Sequence, residues 1–373
     1  MKENNLKEVA KLFLHFGFTA FGGPAAHIAI MQREIVDKRK WMTAEHFLDL
    51  IGATNLIPGP NSTEMAIHIG KERAGWKGMI VAGLCFILPA VVITGFFAWL
   101  YKEYGQLPEV QPFIYGIKPA IIAIILAAVI PLVRKSLKSI ELGIIGGVVL
   151  ILALLQYNEI LLMFGAGFLA LGLNAVRQRK SAGGFFPLTL LQIPGIELLP
   201  VSNLNLFLIF LKIGAILYGS GYVLFAFLDA ELVATGFLSR QQLIDAIAVG
   251  QFTPGPVFSS VTFIGYQING WTGAAVSTIG IFLPSFVFVA LLNPLVRIMR
   301  NSGLFSAFLD AVNVASVAII IVVCYVMGRD SISEWRTILI AVAAVALTFG
   351  FRKVNSAWIV LGGSILGYIL SLV

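Results

Sequence analysis

The sequence has little charge and an excess of apolar residues. Asp, Glu, Lys and Arg make up 12% of its 373 residues, whereas 58% are hydrophobic, and the mean hydropathy is +0.91. This balance excludes an ordinary soluble globular domain. It favours a multi-pass protein of the inner (cytoplasmic) membrane, with the lipid bilayer as its first partner.

Cysteine and histidine are scarce as well. The two cysteines, Cys85 and Cys324, lie inside apolar stretches, so the sequence has no disulfide framework, no CxxC pair and no metal-ligand spacing. It contains no HExxH or GxSxG motif, no Walker A sequence and no paired intramembrane carboxylates. These absences argue against an enzyme, against a metal or other cofactor, and against ATP hydrolysis by this chain.

The net charge of +7 does not indicate nucleic-acid binding, because the basic residues stand in short loops between apolar runs. Loops rich in Lys and Arg mark the cytoplasmic side of a membrane. The loop after the first apolar run carries Arg33, Lys38, Arg39 and Lys40, whereas the corresponding loop of the second half carries Asp229, Glu231 and only Arg240. The two loops are therefore predicted to lie on opposite sides of the membrane.

Apolar runs long enough to cross a ~30 Å hydrocarbon core divide the chain into two similar halves. In the first half they cover 9–31, 76–101, 112–133, 139–156 and 158–176. In the second half they cover 204–228, 271–295, 305–327, 336–351 and 355–372. Two further segments, 44–72 and 241–268, are each broken into two arms. These arms are too short to span the core, so each segment predicts a re-entrant hairpin.

The two halves are copies of one another. Corresponding residues lie 197, then 196, then 195 positions apart, as in Gly17 with Gly214, Glu34 with Glu231, Asp49 with Asp245, Gly75 with Gly270 and Pro89 with Pro284. Five crossings per copy is an odd number, which agrees with the opposite loop charges. We predict an all-α polytopic membrane protein with two inverted-topology repeats, 1–176 and 204–373, joined by a connector at 177–203. Each repeat has about five membrane-spanning helices and one re-entrant helical hairpin.

Each hairpin is broken at a tripeptide, Pro58-Gly59-Pro60 in the first copy and Pro254-Gly255-Pro256 in the second. Proline ends the incoming helix and suits the first turn of the outgoing one. A new helix leaves N–H groups unpaired at its positive end. Two such starts near the middle of a membrane predict an anion site. The alternative is a paired kink that holds the fold together without a ligand.

Polar side chains flank both tripeptides. The predicted substrate-binding residues are both tripeptides, the amide side chains before them and the polar residues after them, namely Asn55, Pro58, Gly59, Pro60, Asn61, Ser62, Thr63, Gln251, Pro254, Gly255, Pro256, Ser259 and Ser260. The alternative for the Asn55 and Gln251 amides is that they bind the carbonyls of the loop. Lys118 and Lys212 are the cations deepest inside predicted spans, and we expect them to attract the anion. The alternative for both lysines is snorkelling to the membrane interface.

Three further residues are candidates for proton coupling. Glu64 lies in the first turn after Pro60 and corresponds to Ser260, so the second copy has no matching acid. A carboxyl beside an anion site within the membrane is suited to carry a coupling proton. His27 and His68 are alternative relays, although a lone histidine on an apolar face is more often only hydrogen-bonded in a core.

Glycines interrupt the first span of each copy. The predicted hinge or packing residues are Phe21, Gly22 and Gly23 in the first copy and Gly219 and Gly221 in the second. They predict a hinge or an opening for the tripeptides, and the alternative is close helix packing around a kink.

Several of these stretches resemble the chromate ion transporter family. They are FGGPAAHIAIMQREIV, WMTAEHFLDLIGATNLIPGP and GWKGMIVAGLCFILPA in the first copy, and GQFTPGPVFSS, GWTG and FLPS in the second. The resemblance covers nearly all of 10–370, in the long two-domain form of the family. It implies chromate export linked to the proton-motive force, with sulfate as a related tetrahedral dianion. The signature residues that it implies are Phe21, Gly22, Gly23 and both tripeptides; the second copy departs from the pattern at Gly219-Ser220-Gly221.

The sequence therefore predicts a secondary-active transporter of small divalent oxyanions, chromate or sulfate, that works by alternating access. An anion channel and a transporter of another oxyanion are the alternatives within transport. A membrane-embedded enzyme or a scaffold is the alternative outside it. A homodimer is compatible with the sequence.

Overall fold

The computed structural model of the protein describes residues 2–21, 23–178, 202–218, 221–291, 303–350 and 354–372. Every regular element in these ranges is helical, which confirms the predicted all-α class. Four of the described helices are long and apolar enough to cross a membrane: Asn61–Tyr104, Gln111–Ser136, Val257–Leu291 and Phe305–Ser331. The chain is a multi-pass membrane protein. Most of the predicted connector, 177–203, lies outside the described residues.

The helices of the first half follow the predicted spans closely. The predicted first span is divided into α1 (Lys2–Thr19) and α2 (Gly23–Met31), and a π-helical turn, Gln32–Lys38, follows. The broken segment is α3 (Ala44–Thr54) and the beginning of α4 (Asn61–Tyr104). The half is completed by α5 (Gln111–Ser136), α6 (Ile140–Leu154) and α7 (Glu159–Gln178).

The second half repeats this order. Its first span is again divided, into α8 (Asn203–Ile216) and α9 (Val223–Leu228), and a π-helical turn, Asp229–Val233, follows. The broken segment is α10 (Arg240–Phe252), a 3₁₀ turn (Val257–Ser259) and the beginning of α11 (Ser260–Leu291). The last helices are α12 (Gly303–Ser331), α13 (Trp335–Gly350) and α14 (Ser356–Ser371).

Both long helices, α4 and α11, contain a sharp break at corresponding positions. Ala74 and Gly75 have φ values of −138° and 66°, and Asn269 and Gly270 have φ values of −137° and 61°. Glycine adopts a positive φ at little steric cost. The break ends the arm that begins at Asn61 after about 20 Å of helix, so this arm is too short to cross a ~30 Å core.

Side-chain caps fix where the incoming arms begin. The Thr43 hydroxyl accepts a hydrogen bond from the His46 amide ahead of α3. The Ser239 hydroxyl likewise accepts from the Gln242 amide ahead of α10, and the Gln242 Oε1 accepts from the Ser239 amide. Such caps satisfy N–H groups that the first helical turn leaves unpaired.

The third long helix of each half packs against the last helix of the other half. A Cβ placed on Gly116 of α5 would lie 2.7 Å from the Gly367 Cα of α14. A Cβ placed on Gly167 of α7 would lie 2.5 Å from the Phe308 ring of α12. Small residues permit such close approach between membrane helices. Here they allow each half to pack one of its helices against the last helix of the other half.

Candidate functional site

The two tripeptides have the backbone shape that their sequences predict. Gly59 and Gly255 have φ values of 131° and 91°, which favour glycine over every other residue. Pro60 and Pro256 are the N-caps of the helical segments that follow. Each tripeptide therefore ends one helix and begins another.

A pair of reciprocal hydrogen bonds joins the tripeptides to the breaks in the first spans. The Gly59 amide donates to the Leu217 carbonyl at 2.8 Å, and the Gly255 amide donates to the Ala20 carbonyl at 2.9 Å. Ala20 and Leu217 correspond to each other across the 197-residue offset. Each tripeptide is thus held by the interrupted first span of the opposite half.

The amides that follow each tripeptide are the candidate anion donors. Among the described residues, the N–H groups of Asn61 and Ser62 have no acceptor, and neither do those of Val257 and Phe258. Unpaired N–H groups at a helix start bind anions because they point outward at the positive end of the dipole. Both halves meet this condition at corresponding places.

The second half is one residue shorter after its tripeptide. Val257–Ser259 forms a 3₁₀ turn, in which the Ser259 amide donates to the Pro256 carbonyl at 2.9 Å. Further along, Gly70 contacts Gly78 in the first half, and Gly265 contacts Gly273 in the second. Corresponding residues of these two contacts are 195 positions apart. Ser259 and Ser260 together therefore take the place of Glu64.

Glu64 places a fully buried carboxyl beside the first tripeptide. Its Oε1 accepts a hydrogen bond from the Ser285 hydroxyl at 3.4 Å, and its Oε2 has no partner among the described residues. A Cβ placed on Gly59 would contact this carboxyl and the Ser285 hydroxyl. No cation among the described residues pairs with Glu64.

His27 connects three elements of the first site. Its Nε2 lies 3.0 Å from the Ala20 carbonyl and its Nδ1 lies 3.2 Å from the Ser62 hydroxyl. A carbonyl only accepts, so Nε2 carries the hydrogen and Nδ1 of the neutral ring accepts from Ser62. The Ala20 carbonyl thus receives both His27 and the Gly255 amide. His68 is buried and makes no hydrogen bond with a described residue.

The second tripeptide has hydroxyl neighbours but no carboxyl. The Thr94 hydroxyl donates to the Ser259 Oγ at 3.3 Å, and the Ser260 Oγ has no partner among the described residues. The Thr63 Oγ1 of the first half is buried and unpartnered in the same sense. The four hydroxyl residues that the sequence predicted, Ser62, Thr63, Ser259 and Ser260, are all buried.

Two cavities border the broken segments. Asn55 and Asn61 line one of about 230 Å³, together with Lys135 and Lys138, and the Asn61 Nδ2 donates to the Asn55 Oδ1 at 2.6 Å. Gln251 lines the other, of about 940 Å³. The residues of both tripeptides are buried and line neither cavity, so the structure separates Asn55, Asn61 and Gln251 from the other predicted binding residues.

The two half-buried lysines, Lys118 and Lys212, have carboxylate neighbours. The Lys118 Nζ lies 3.9 Å from the Asp245 Oδ1, and Asp245 also accepts a hydrogen bond from the Tyr101 hydroxyl at 2.7 Å. The Lys212 Nζ lies 2.6 Å from the Glu231 Oε1. Both ammonium groups therefore have a fixed carboxylate partner.

The predicted hinge residues lie at the breaks in the first spans. Gly23 has a φ of 78°, and a Cβ placed on it would be 3.5 Å from the Tyr222 hydroxyl of the second half. Phe21 lines the 940 Å³ cavity, and Gly221 lies near the Phe258 ring. Gly22 and Gly219 lie outside the described residues.

The sequence interpretation missed several residues that the fold brings to the site. Ser285 reaches Glu64, Thr94 reaches Ser259, and Arg134 lines the larger cavity. Ser285 and Thr94 lie inside the matched spans, shortly after Pro284 and Pro89, but no local pattern marks a lone hydroxyl as a contact. The described residues contain no group of three or more His, Cys, Asp or Glu side chains that could hold a metal ion.

Comparisons with known proteins all point to one protein family. A Chromate transporter family profile matches residues 7–171 and again 204–368. The chain is 30% identical to the Chromate transport protein of Cupriavidus metallidurans, over 98% of this chain and 93% of that protein. It is also 30% identical to the Probable chromate transport protein of Synechococcus elongatus, over 94% and 91% of the two chains. No solved structure matches significantly. The chain belongs to the chromate transporter family.

Proposed function

We propose that the protein is a secondary-active transporter of small divalent oxyanions, chromate and the similarly shaped sulfate, in the inner membrane. The observation that carries this proposal is the pair of helix starts with acceptor-free amides, Asn61 with Ser62 and Val257 with Phe258. Non-helical backbone within a membrane is tolerated where it is buried in protein or lines a water-filled cavity. A site of this kind in each half is the arrangement expected of a transporter with inverted repeats.

The inverted relation of the two halves, 1–176 and 204–373, is part of the proposal. The reciprocal bonds from Gly59 to Leu217 and from Gly255 to Ala20 support a two-fold relation between the halves, and the opposite charges of the matched loops at 33–40 and 229–240 support its inversion. The names of the relatives from Cupriavidus metallidurans and Pseudomonas aeruginosa, each a Chromate transport protein, support chromate as one substrate.

In an alternating-access cycle, the two halves would move relative to one another at the reciprocal bonds. The tripeptides are buried in this conformation, so the oxyanion reaches the amides after a relative movement of the two halves. Glu64, fully buried beside the first tripeptide, is the proposed carrier of the coupling proton. The alternative relays are His68, one turn further along α4, and His27, beside the Ser62 hydroxyl. The protonation state of Glu64 alternates as the site opens to water and closes again.

The test is uptake of radiolabelled sulfate and chromate into proteoliposomes that contain the purified full chain. An imposed pH gradient is expected to drive accumulation above the equilibrium level, and collapsing the gradient with a protonophore should abolish it. Flux that only equilibrates the anion would favour a channel. The absence of both binding and flux for sulfate and chromate would overturn the proposed substrate class.

A further inference from the structure

The 940 Å³ cavity beside Gln251 is rich in hydrogen-bond donors. Its described lining includes Arg134, Gln251, Asn355 and Ser356, and contains no Asp or Glu. Its volume falls within the range of about 300–1,000 Å³ that is typical of ligand pockets. The cavity therefore has the size and the electrostatic sign of an anion-binding site.

Arg134 is the charged residue of this described lining. It lies in the last turn of α5, is exposed and pairs with no carboxylate among the described residues. A position at a helix C-terminus already favours a cation, but it does not require the planar guanidinium to border a cavity. Guanidinium offers five donors in a geometry that matches oxyanions.

Two neutral donors of the cavity are buried. Gln251 is only 6% exposed; its side chain neighbours the Tyr222 hydroxyl of the same cavity wall, and an amide nitrogen with two hydrogens keeps one for a ligand. The Ser356 Oγ is also buried, and it has no partner in the described part of the chain. An unsatisfied buried donor is unfavourable unless a ligand or water completes it.

The start of α14 adds a third contribution. Asn355 caps this helix by accepting a hydrogen bond from the Ala357 amide at 3.1 Å, which leaves the Ser356 amide without an acceptor among the described residues. Since α14 runs from Ser356 to Ser371, it is long enough to develop a positive N-terminal potential. Asn355 and Ser356 place that potential in the wall of the cavity.

We propose that this cavity is the binding site of the oxyanion in the present conformation, with Arg134, Gln251 and Ser356 as its protein ligands. The inference rests on the proposed function and makes it asymmetric, because the anion lies on the side of the second tripeptide. The first tripeptide has the Glu64 carboxyl beside it, whereas no Asp or Glu belongs to the described lining of the cavity at Gln251.

The test combines equilibrium binding with transport. Sulfate binding to the purified full chain and sulfate uptake into proteoliposomes are measured for the wild type, Arg134→Gln, Arg134→Lys, Ser356→Ala and Gln251→Glu. Loss of a charge-assisted hydrogen bond should raise the sulfate Kd and KM about tenfold or more in Arg134→Gln, with partial recovery in Arg134→Lys. Gln251→Glu adds a negative charge and should weaken binding at least as much.

Lys77→Gln is the matched control, because Lys77 is exposed and contributes to neither cavity; its Kd and KM should equal those of the wild type. Unchanged Kd and KM in Arg134→Gln, Ser356→Ala and Gln251→Glu, with normal wild-type uptake, would reject this site while transport stands. If sulfate binding depends on Arg134 but neither the wild type nor any variant takes up sulfate, the binding site stands and the proposed transport is rejected. No sulfate or chromate binding by the wild type would overturn the site. Should Arg134→Gln fail to fold, Ser356→Ala and Gln251→Glu give the same decision.

Discussion

The two tripeptides share a backbone but differ in the chemistry around them. Gly59 and Gly255 both have positive φ, and both donate to the carbonyl at the break in the opposite first span. The first is surrounded by Glu64, Ser285 and His27, whereas the corresponding positions of the second hold serine, Ala90 and Leu224. The two halves therefore share a backbone arrangement, but a buried carboxyl lies beside the first tripeptide and none lies beside the second among the described residues.

The largest expected effect comes from removing either glycine. Gly59→Ala and Gly255→Ala force an L residue into a positive φ, at a cost of about 1–3 kcal/mol, and crowd Ser285 or Ala90. We expect transport to be lost in both variants while the protein remains inserted, as measured by uptake and by membrane fractionation.

Two other glycines separate the causes of that loss. A Cβ on Gly52 would meet open space and the backbone φ is not positive, so Gly52→Ala should behave as the wild type. A Cβ on Gly75 would also meet open space, but its φ is 66°, so Gly75→Ala measures the effect of backbone strain alone. Adding Glu64→Ala should raise the melting temperature of Gly59→Ala in detergent but not that of Gly255→Ala, because only Gly59 faces that carboxyl. Wild-type uptake in both Gly59→Ala and Gly255→Ala would contradict the need for glycine in the tripeptides, and loss in only one of them would contradict their equivalence.

Glu64→Gln tests the difference in charge between the halves. It keeps the size of the side chain and the contact with Ser285 but cannot release a proton. We expect pH-gradient-driven uptake to fall about tenfold or more, with a change in the sulfate Kd of less than about threefold. The pH dependence of uptake is the decisive measurement, and a profile identical to that of the wild type would remove Glu64 from the mechanism.

His27→Leu introduces the residue of the second half at the corresponding position, Leu224. It removes the bond to the Ala20 carbonyl and leaves the Ser62 hydroxyl without its partner, so we expect a destabilisation of about 1–3 kcal/mol. His27→Leu combined with Ser62→Ala removes both polar groups and should be less destabilised than the sum of the single variants. Thermal unfolding in detergent gives the comparison, and strict additivity would argue against a shared hydrogen bond.

The smallest effects distinguish two matched glutamates. Glu34 pairs with Lys38 at 2.5 Å, and 58% of the Lys38 side chain is exposed; Glu231 pairs with Lys212, 25% exposed. The hydrogen bond from Lys38 lowers the pKa of Glu34, so its small stabilising contribution is present at neutral pH and is lost as the pH falls through that lowered pKa. Lys38→Ala should cost about 0.5 kcal/mol or less and Lys212→Ala more, and equal melting temperatures would contradict this order.

The sequence was a good guide to the fold because its signals are local or periodic. Apolar runs located the helices, and the matched Gly75 and Gly270 marked the two breaks where the chain turns from a short arm into a span. The tripeptides predicted the helix starts for the same reason, since proline and glycine act on their own backbone.

The site was less accessible to sequence reasoning because its contacts join distant segments. Lys118 and Lys212 have the depth expected of anion-attracting residues, yet the fold pairs them with Asp245 and Glu231. Arg134 reads as a topology signal in a basic loop, and only the packing of α5 beside α14 places it in a cavity with Ser356. Whether a lysine or an arginine meets a carboxylate depends on tertiary neighbours that no spacing encodes.

The reciprocal bonds between the tripeptides and the opposite first spans bear on how such a molecule is assembled. A single copy in hydrocarbon would present one glycine N–H with nothing to receive it and one carbonyl with nothing to donate to it, a costly state where water is absent. The smallest self-sufficient unit is therefore the pair. Segments 1–176 and 204–373 should each be unstable when expressed alone, and they should regain stability when they are produced together.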